Sequence, residues 1–268
     1  MLRVPSFMIA MIFAVGTASA QDSRLQRLDT GDDGRAWEAV GRLDIGGRGF
    51  CTGALIAPNL VLTAAHCLFN NRSGQRIDHT KIEFLAGWRN GRASAHRTVR
   101  RAVVHPEFEY LGAANELRVR NDVALLELQH PIKNTRIVPF LTDRRPRKGQ
   151  RIGVVSYAKG RSEAPSLQEV CDVRARQLGV LVMSCDVNYG SSGAPVFSFE
   201  GDEPRIVSVV SAMAEVDGTK VSLGTQLQGP LEVLRAALDA GQGVYQDPAP
   251  KMFSGTERRE TGAKFAKP

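Results

Sequence analysis

Short apolar runs broken by turn residues fill most of this sequence. Residues 53–57, 60–65, 81–86, 98–104 and 123–128 make one series, interrupted at Pro58-Asn59, residues 71–74, Asn90-Gly91 and His105-Pro106. A second series occupies 151–157, 167–175, 179–185, 194–199, 205–214 and 224–227. Runs this short, with breakers this frequent, predict β-strands closed into barrels or packed as a sandwich. Between the two series, Arg144-Arg145-Pro146-Arg147-Lys148-Gly149-Gln150 is basic and breaker-rich and reads as a linker. The pattern therefore predicts two all-β units, 36–143 and 144–229. One helix follows over 230–241: Pro230 sits near its start, Leu231, Val233, Leu234 and Leu238 supply an apolar face, and Gly241 ends it. No fixed-period repeat is present.

The two ends differ from this middle. Residues 1–20 read as an export signal, with Arg3 before an apolar run over 7–15 and Ala18-Ser19-Ala20 as a cleavage site. That run is too short to span a bilayer, and no later segment is long and apolar enough. Residues 21–35 read as a loose polar arm and 242–268 as a disordered tail. The chain is thus expected outside the cytoplasm, secreted or periplasmic. Cysteine usage agrees: Cys51, Cys67, Cys171 and Cys185 suggest two disulfides. Three connectivities exist, and the spacing favours the two local pairs. No C-x-x-C motif occurs, so zinc is disfavoured and no metal site is expected. The formal net charge of +7 favours weak attraction to anionic surfaces. No motif for specific nucleic-acid recognition accompanies it.

Three segments carry chemistry: Leu60-Val61-Leu62-Thr63-Ala64-Ala65-His66-Cys67, Asn121-Asp122-Val123-Ala124-Leu125-Leu126 and Gly190-Ser191-Ser192-Gly193-Ala194-Pro195. A serine hydroxyl is a weak nucleophile that needs a base in hydrogen-bond reach, and the base needs a carboxylate to orient it. The three segments supply histidine, aspartate and serine in that order. With Cys51-Thr52-Gly53-Ala54-Leu55-Ile56, they resemble the chymotrypsin-like (trypsin-like) serine proteases over roughly residues 40–241, and the small bacterial members most. That resemblance implies two antiparallel six-stranded Greek-key β-barrels with a C-terminal helix. It implies His66 as general base, Asp122 as its orienting acid and Ser192 as nucleophile. The amides of Gly190 and Ser192 would form the oxyanion hole, and Cys51–Cys67 would hold His66 in place. A glycine at Gly190 would keep the substrate carbonyl uncrowded.

The sequence also departs from the family. The residue before the nucleophile is the uncharged Ser191, and the nearest Ile-Gly-Gly (Ile45-Gly46-Gly47) lies too close to Cys51 to be a released amino terminus. No salt-bridge activation switch of the zymogen kind is expected. Ala194 excludes the α/β-hydrolase elbow. By its offset from Ser192, Asp186 would be a buried base of the P1 pocket, with Ser211, Ala212 and Met213 as the substrate-pairing strand. Met213 stands where trypsins have glycine and would narrow that pocket. His79, His96, His105 and His130 carry no motif and are expected at the surface or in turns.

The function expected is a secreted or periplasmic serine endopeptidase, monomeric and cofactor-free, acting on peptides or proteins. The alternative is a non-catalytic protease-fold module binding anionic surfaces. A quality-control protease with peptide-binding modules ranks last, because little chain follows the second unit.

Overall fold

The computed structural model describes residues 25–111 and 115–246. The expected leader and residues 247–268 of the tail lie outside the described residues. Strand β1 (Gln26–Arg27) precedes two closed antiparallel sheets. The first contains β2 (Val40–Ile45), β3 (Phe50–Ala57), β4 (Leu60–Thr63), β5 (Ile82–Ala86), β6 (Ala95–Val104) and β7 (Ala124–Leu128). It closes in the order β2-β3-β4-β7-β6-β5. The second contains β8 (Arg151–Ala158), β9 (Arg161–Gln177), β10 (Val180–Met183), β11 (Pro195–Ser198), β12 (Arg205–Val216) and β13 (Thr219–Gln226). Its order is β9-β10-β13-β12-β11-β8, and β8 pairs back onto β9. The chain is therefore two six-stranded β-barrels, as the pattern and the resemblance implied. Closure leaves few open strand edges.

The strands bury on both faces where the barrels meet. All four residues of β4 are buried, as are seven of the eight in β8. Trp37 and Phe140 both reach Phe197, with ring centroids 4.9 and 4.8 Å apart, so one apolar cluster runs from the first barrel into the contact with the second. Ile152, Leu181, Met183 and Val207 belong to a separate cluster inside the second barrel.

A short helix α1 (Glu116–Arg120) leads into β7, and α2 (Pro230–Asp239) closes the fold. Leu231, Leu234 and Leu238 of α2 are buried; Val233, grouped with them in the sequence pattern, faces out. Gly241 takes φ +79° and donates its N–H to Leu238 O, a left-handed stop that glycine adopts without strain.

The expectations for the arm and the tail differ from what the fold contains, and those for the linker and two histidines gain detail. The polar arm is docked from Gln26 onward, because β1 pairs with β9 and Leu28 is buried. The linker is pinned: Arg145 donates to Gln226 Oε1 and Val180 O, and Gly149 N–H to Val173 O. His79 and His105 occupy turns but are buried, and His79 Nε2 meets Arg100 O at 2.9 Å. The start of the tail also packs, since Gly243 O accepts from Ala102 N–H and Tyr245 meets the His79 ring edge-on.

Candidate active site

β4 runs directly into the tight turn Ala65–Leu68, which carries His66. Ala64 and Ala65 are fully buried, so a larger side chain at either would meet packed neighbours. Asp122 follows α1 and precedes β7, and its own N–H donates to Val119 O. Its carboxylate accepts three hydrogen bonds. His66 N–H meets Oδ1 at 2.8 Å, His66 Nδ1 meets Oδ2 at 2.6 Å, and Ser211 Oγ donates to Oδ2 at 2.5 Å. A carboxylate only accepts, so Nδ1 carries the proton and Nε2 keeps its lone pair. The Asp122 side chain is 4% exposed and His66 is 24% exposed, so the imidazole has one open face.

Ser211 reaches Asp122 because of local backbone irregularity. On β12, Val210 pairs with Gly224 and Ala212 with Leu223, which leaves Ser211 as the extra residue of a β-bulge. Burial of His66 opposes its protonation. Asp122 outweighs it through charge and hydrogen bond, Arg118 opposes weakly, and the net pKa is raised above the ordinary 6.5.

The two adjacent serines separate clearly. Ser191 is fully buried, and its Oγ lies 3.2 Å from Ser156 Oγ and accepts from Asn188 N–H. Ser192 lines a cleft of about 910 Å³ together with His66. Among the described residues no hydrogen bond joins the two; such contacts are often loose without substrate. The turn holding Ser192 is tightly sited. Gly190 has φ +96° and Gly193 has φ +77°. A Cβ on Gly193 would fall 2.3 Å from Thr52 O, and one on Gly190 would fall 2.3 Å from the Phe50 ring. Glycine at Gly190 is thus required by the Phe50 contact as well as by the backbone. Among the described residues the N–H groups of Gly190 and Ser192 have no acceptor in the chain, whereas those of Ser191 and Gly193 do.

Ser211, Ala212 and Met213 line the cleft. Asp186 differs from the sequence expectation. It is exposed, and its N–H donates to Gln168 Oε1. It lines an adjoining cavity of about 570 Å³ with Glu215, Lys220 and Met213. The Asp172 and Ser184 side chains bond to each other nearby.

Disulfides join Cys51 to Cys67 and Cys171 to Cys185. The first bonds β3 to the turn carrying His66. Its sulfurs and the His66 ring nitrogen lie within 4.8 Å of one another, but sulfurs spent in a disulfide are not thiolate metal ligands.

Over residues 51–203, more than half of the chain, the sequence matches the family profile of the trypsin-like peptidase domain. The chain belongs to the trypsin-like peptidase family. Human serine protease 23 is 30% identical to this peptidase over 176 residues, covering 55% of this chain and 42% of the relative. Human cathepsin G is 31% identical over 114 residues, covering 42% and 40%. The peptidase thus spans less than half the length of these relatives. Among solved structures, a Glu endopeptidase in complex with MPD superposes with a TM-score of 0.67 at 19% identity, over 81% of this chain and 97% of the other. That likeness is one of fold.

Two residues of this site were given no role by the sequence. Thr52 is fully buried between the barrels. Its Oγ1 donates to Gly190 O at 2.9 Å and accepts from Tyr157 N–H at 3.1 Å, while its N–H donates to Ser192 O at 2.8 Å. Arg161 lies beneath the Ser192 turn, with Nη1 donating to Ser156 O at 2.7 Å and Nη2 to Ser191 Oγ at 3.5 Å. Burial pushes its guanidinium down from the usual value, and the Asp186 charge works the other way. The uncharged Ser191 was the one signal that something other than a carboxylate partner fills this place.

Proposed function

We propose that this protein is a serine endopeptidase, exported and acting as a monomer on peptide or protein chains. The observation that carries the reading is the His66 Nδ1–Asp122 Oδ2 contact of 2.6 Å behind a cleft that His66 and Ser192 line together. Ser192 Oγ attacks the scissile carbonyl carbon while His66 Nε2 takes its proton. Asp122 holds the imidazole in the tautomer this requires and stabilises the imidazolium once formed. The free N–H groups of Gly190 and Ser192 receive the oxyanion. His66 then gives its proton to the leaving amine, the amine departs, and an acyl-enzyme ester remains on Ser192. Water, deprotonated by His66, adds to that ester; the C–O bond to Ser192 breaks as His66 returns the proton to Ser192 Oγ, and the acid is released. Ser211 to Met213 pair with the acyl half of the substrate by strand addition.

Two disulfides and the apolar run within residues 1–20 support an exported location. No helix among the described residues is long and apolar enough to cross a membrane. A fluorophosphonate probe tests the chemistry. Native protein is expected to label, and Ser192→Ala is not. A folded native protein that fails to label would instead be the non-catalytic surface-binding module.

A further inference from the structure

Among the described residues, the charged side chains lining the cleft besides His66 are Arg48 and Arg72, and no carboxylate side chain lines it. Both arginines are exposed. Several other arginines, Arg27, Arg35, Arg42, Arg101, Arg136 and Arg174 among them, meet carboxylates. Arg48 and Arg72 meet none among the described residues, and their guanidinium groups donate to no oxygen there.

Their placement gives these charges a direction. Both belong to the first barrel's side of the cleft. Arg48 sits in the β2–β3 turn, two residues before Phe50, whose ring abuts Gly190. Arg72 sits in the turn after His66, which Asn70 Oδ1 fixes by accepting the N–H groups of Arg72 and Ser73. On the endopeptidase reading above, the acyl half of a substrate pairs with Ser211 to Met213 on the second barrel. Its carbonyl oxygen points at Gly190. The leaving half then runs along the opposite wall, past Phe50 and the Cys51–Cys67 disulfide, on the side that carries the two cations.

We propose that this wall selects peptide substrates carrying aspartate or glutamate on the leaving-group side of the scissile bond. The inference rests on the endopeptidase reading. Exposed ion pairs are individually weak and screened by salt, so the preference is a modest ratio that salt erodes. The surplus positive charge of the chain adds to it by steering acidic segments inward.

The full exported protein is used: one aliquot is titrated with the fluorophosphonate to count active sites, and the untreated remainder is given quenched-fluorescence peptides. These differ only in glutamate, glutamine or lysine at each of the first three positions after the scissile bond. The expected order in kcat/KM is glutamate, glutamine, lysine, spanning about tenfold at low salt and shrinking toward unity near 0.5 M, roughly where the Debye length falls to a few ångströms. In the Arg48→Gln/Arg72→Gln double variant the glutamate-to-lysine ratio is expected to fall to about one. The ratio is read within each variant, so a general loss of turnover does not move it. Protein whose aliquot labels but whose untreated remainder cleaves all three series equally overturns this inference alone, as does a ratio that survives in the double variant. Protein that never labels overturns the endopeptidase reading and this inference with it.

Discussion

His66 is held between opposing effects, and their balance sets a measurable pH. Burial favours the neutral ring; the charge and hydrogen bond of Asp122 favour the cation and win, so its pKa lies above 6.5. A general base must be neutral. Activity is therefore lost as pH falls through that raised pKa, and the acid limb of kcat/KM should have its midpoint above 6.5. Asp122→Asn removes the attraction while burial and Arg118 remain, so the midpoint should drop below 6.5 and the rate fall by about 10⁴. An acid limb unmoved by that change would mean another group titrates. Ser191 offers the complementary test. Ser191→Ala should keep fluorophosphonate labelling, because its hydroxyl is buried away from the cleft. It should cost about 1–2 kcal/mol in denaturant unfolding, because Asn188 N–H and Arg161 lose an acceptor. The sequence motifs pointed to the neighbourhoods of His66, Asp122 and Ser192 because each chemistry sits in a short contiguous segment. They could not reveal the exposure of Asp186 or the position of Arg161, since both depend on how β9 and the Ser192 turn pack.

Among the elements, the strands were the most legible, because short apolar runs and their breakers are local. α2 was legible for the same reason: Pro230 and Gly241 bracket a helical apolar stripe. β1 was not, as two residues in a polar stretch give no period. What fixes β1 is tertiary: Gln26 and Arg27 pair with Leu167 and Ser166, and Leu28 N–H donates to Pro165 O as its side chain enters the core. Leu28→Ala should therefore destabilise the fold by about 3 kcal/mol, the cost of emptying a packed leucine site. A truncation beginning at Asp29 should lose at least as much. A shift in denaturation midpoint close to zero for both would mean that β1 contributes nothing to the fold. Arg101 is a second tertiary device. It joins β6 to Glu127 on β7 and donates to Leu238 O near the end of α2, tying the helix to the first barrel.

At the scale of the whole molecule, each barrel is written in its own stretch of sequence, but their docking is not, and the residues proposed as catalytic come from both. Thr52 is where this coupling concentrates. Its hydroxyl and amide bond to Gly190 O, Tyr157 N–H and Ser192 O of the second barrel, and its carbonyl accepts from Thr63 Oγ1 of the first. Thr52→Val keeps the shape and removes the hydroxyl, leaving Gly190 O and Tyr157 N–H buried without that partner. Each such group costs about 1–3 kcal/mol, so a loss of about 2–5 kcal/mol in unfolding free energy is expected. The peptide unit that follows Gly190 also sets the direction of the neighbouring amides proposed to receive the oxyanion. A merely structural threonine would lower stability and leave the catalytic constants of the folded fraction unchanged. Here kcat per titrated active site should fall as well, with KM little altered, because the weakened contact is one the reacting carbonyl feels as its charge develops. Equal loss at saturating and limiting substrate would place the effect in the transition state; a change confined to KM would show that the inter-barrel contact shapes the groove and not the oxyanion site.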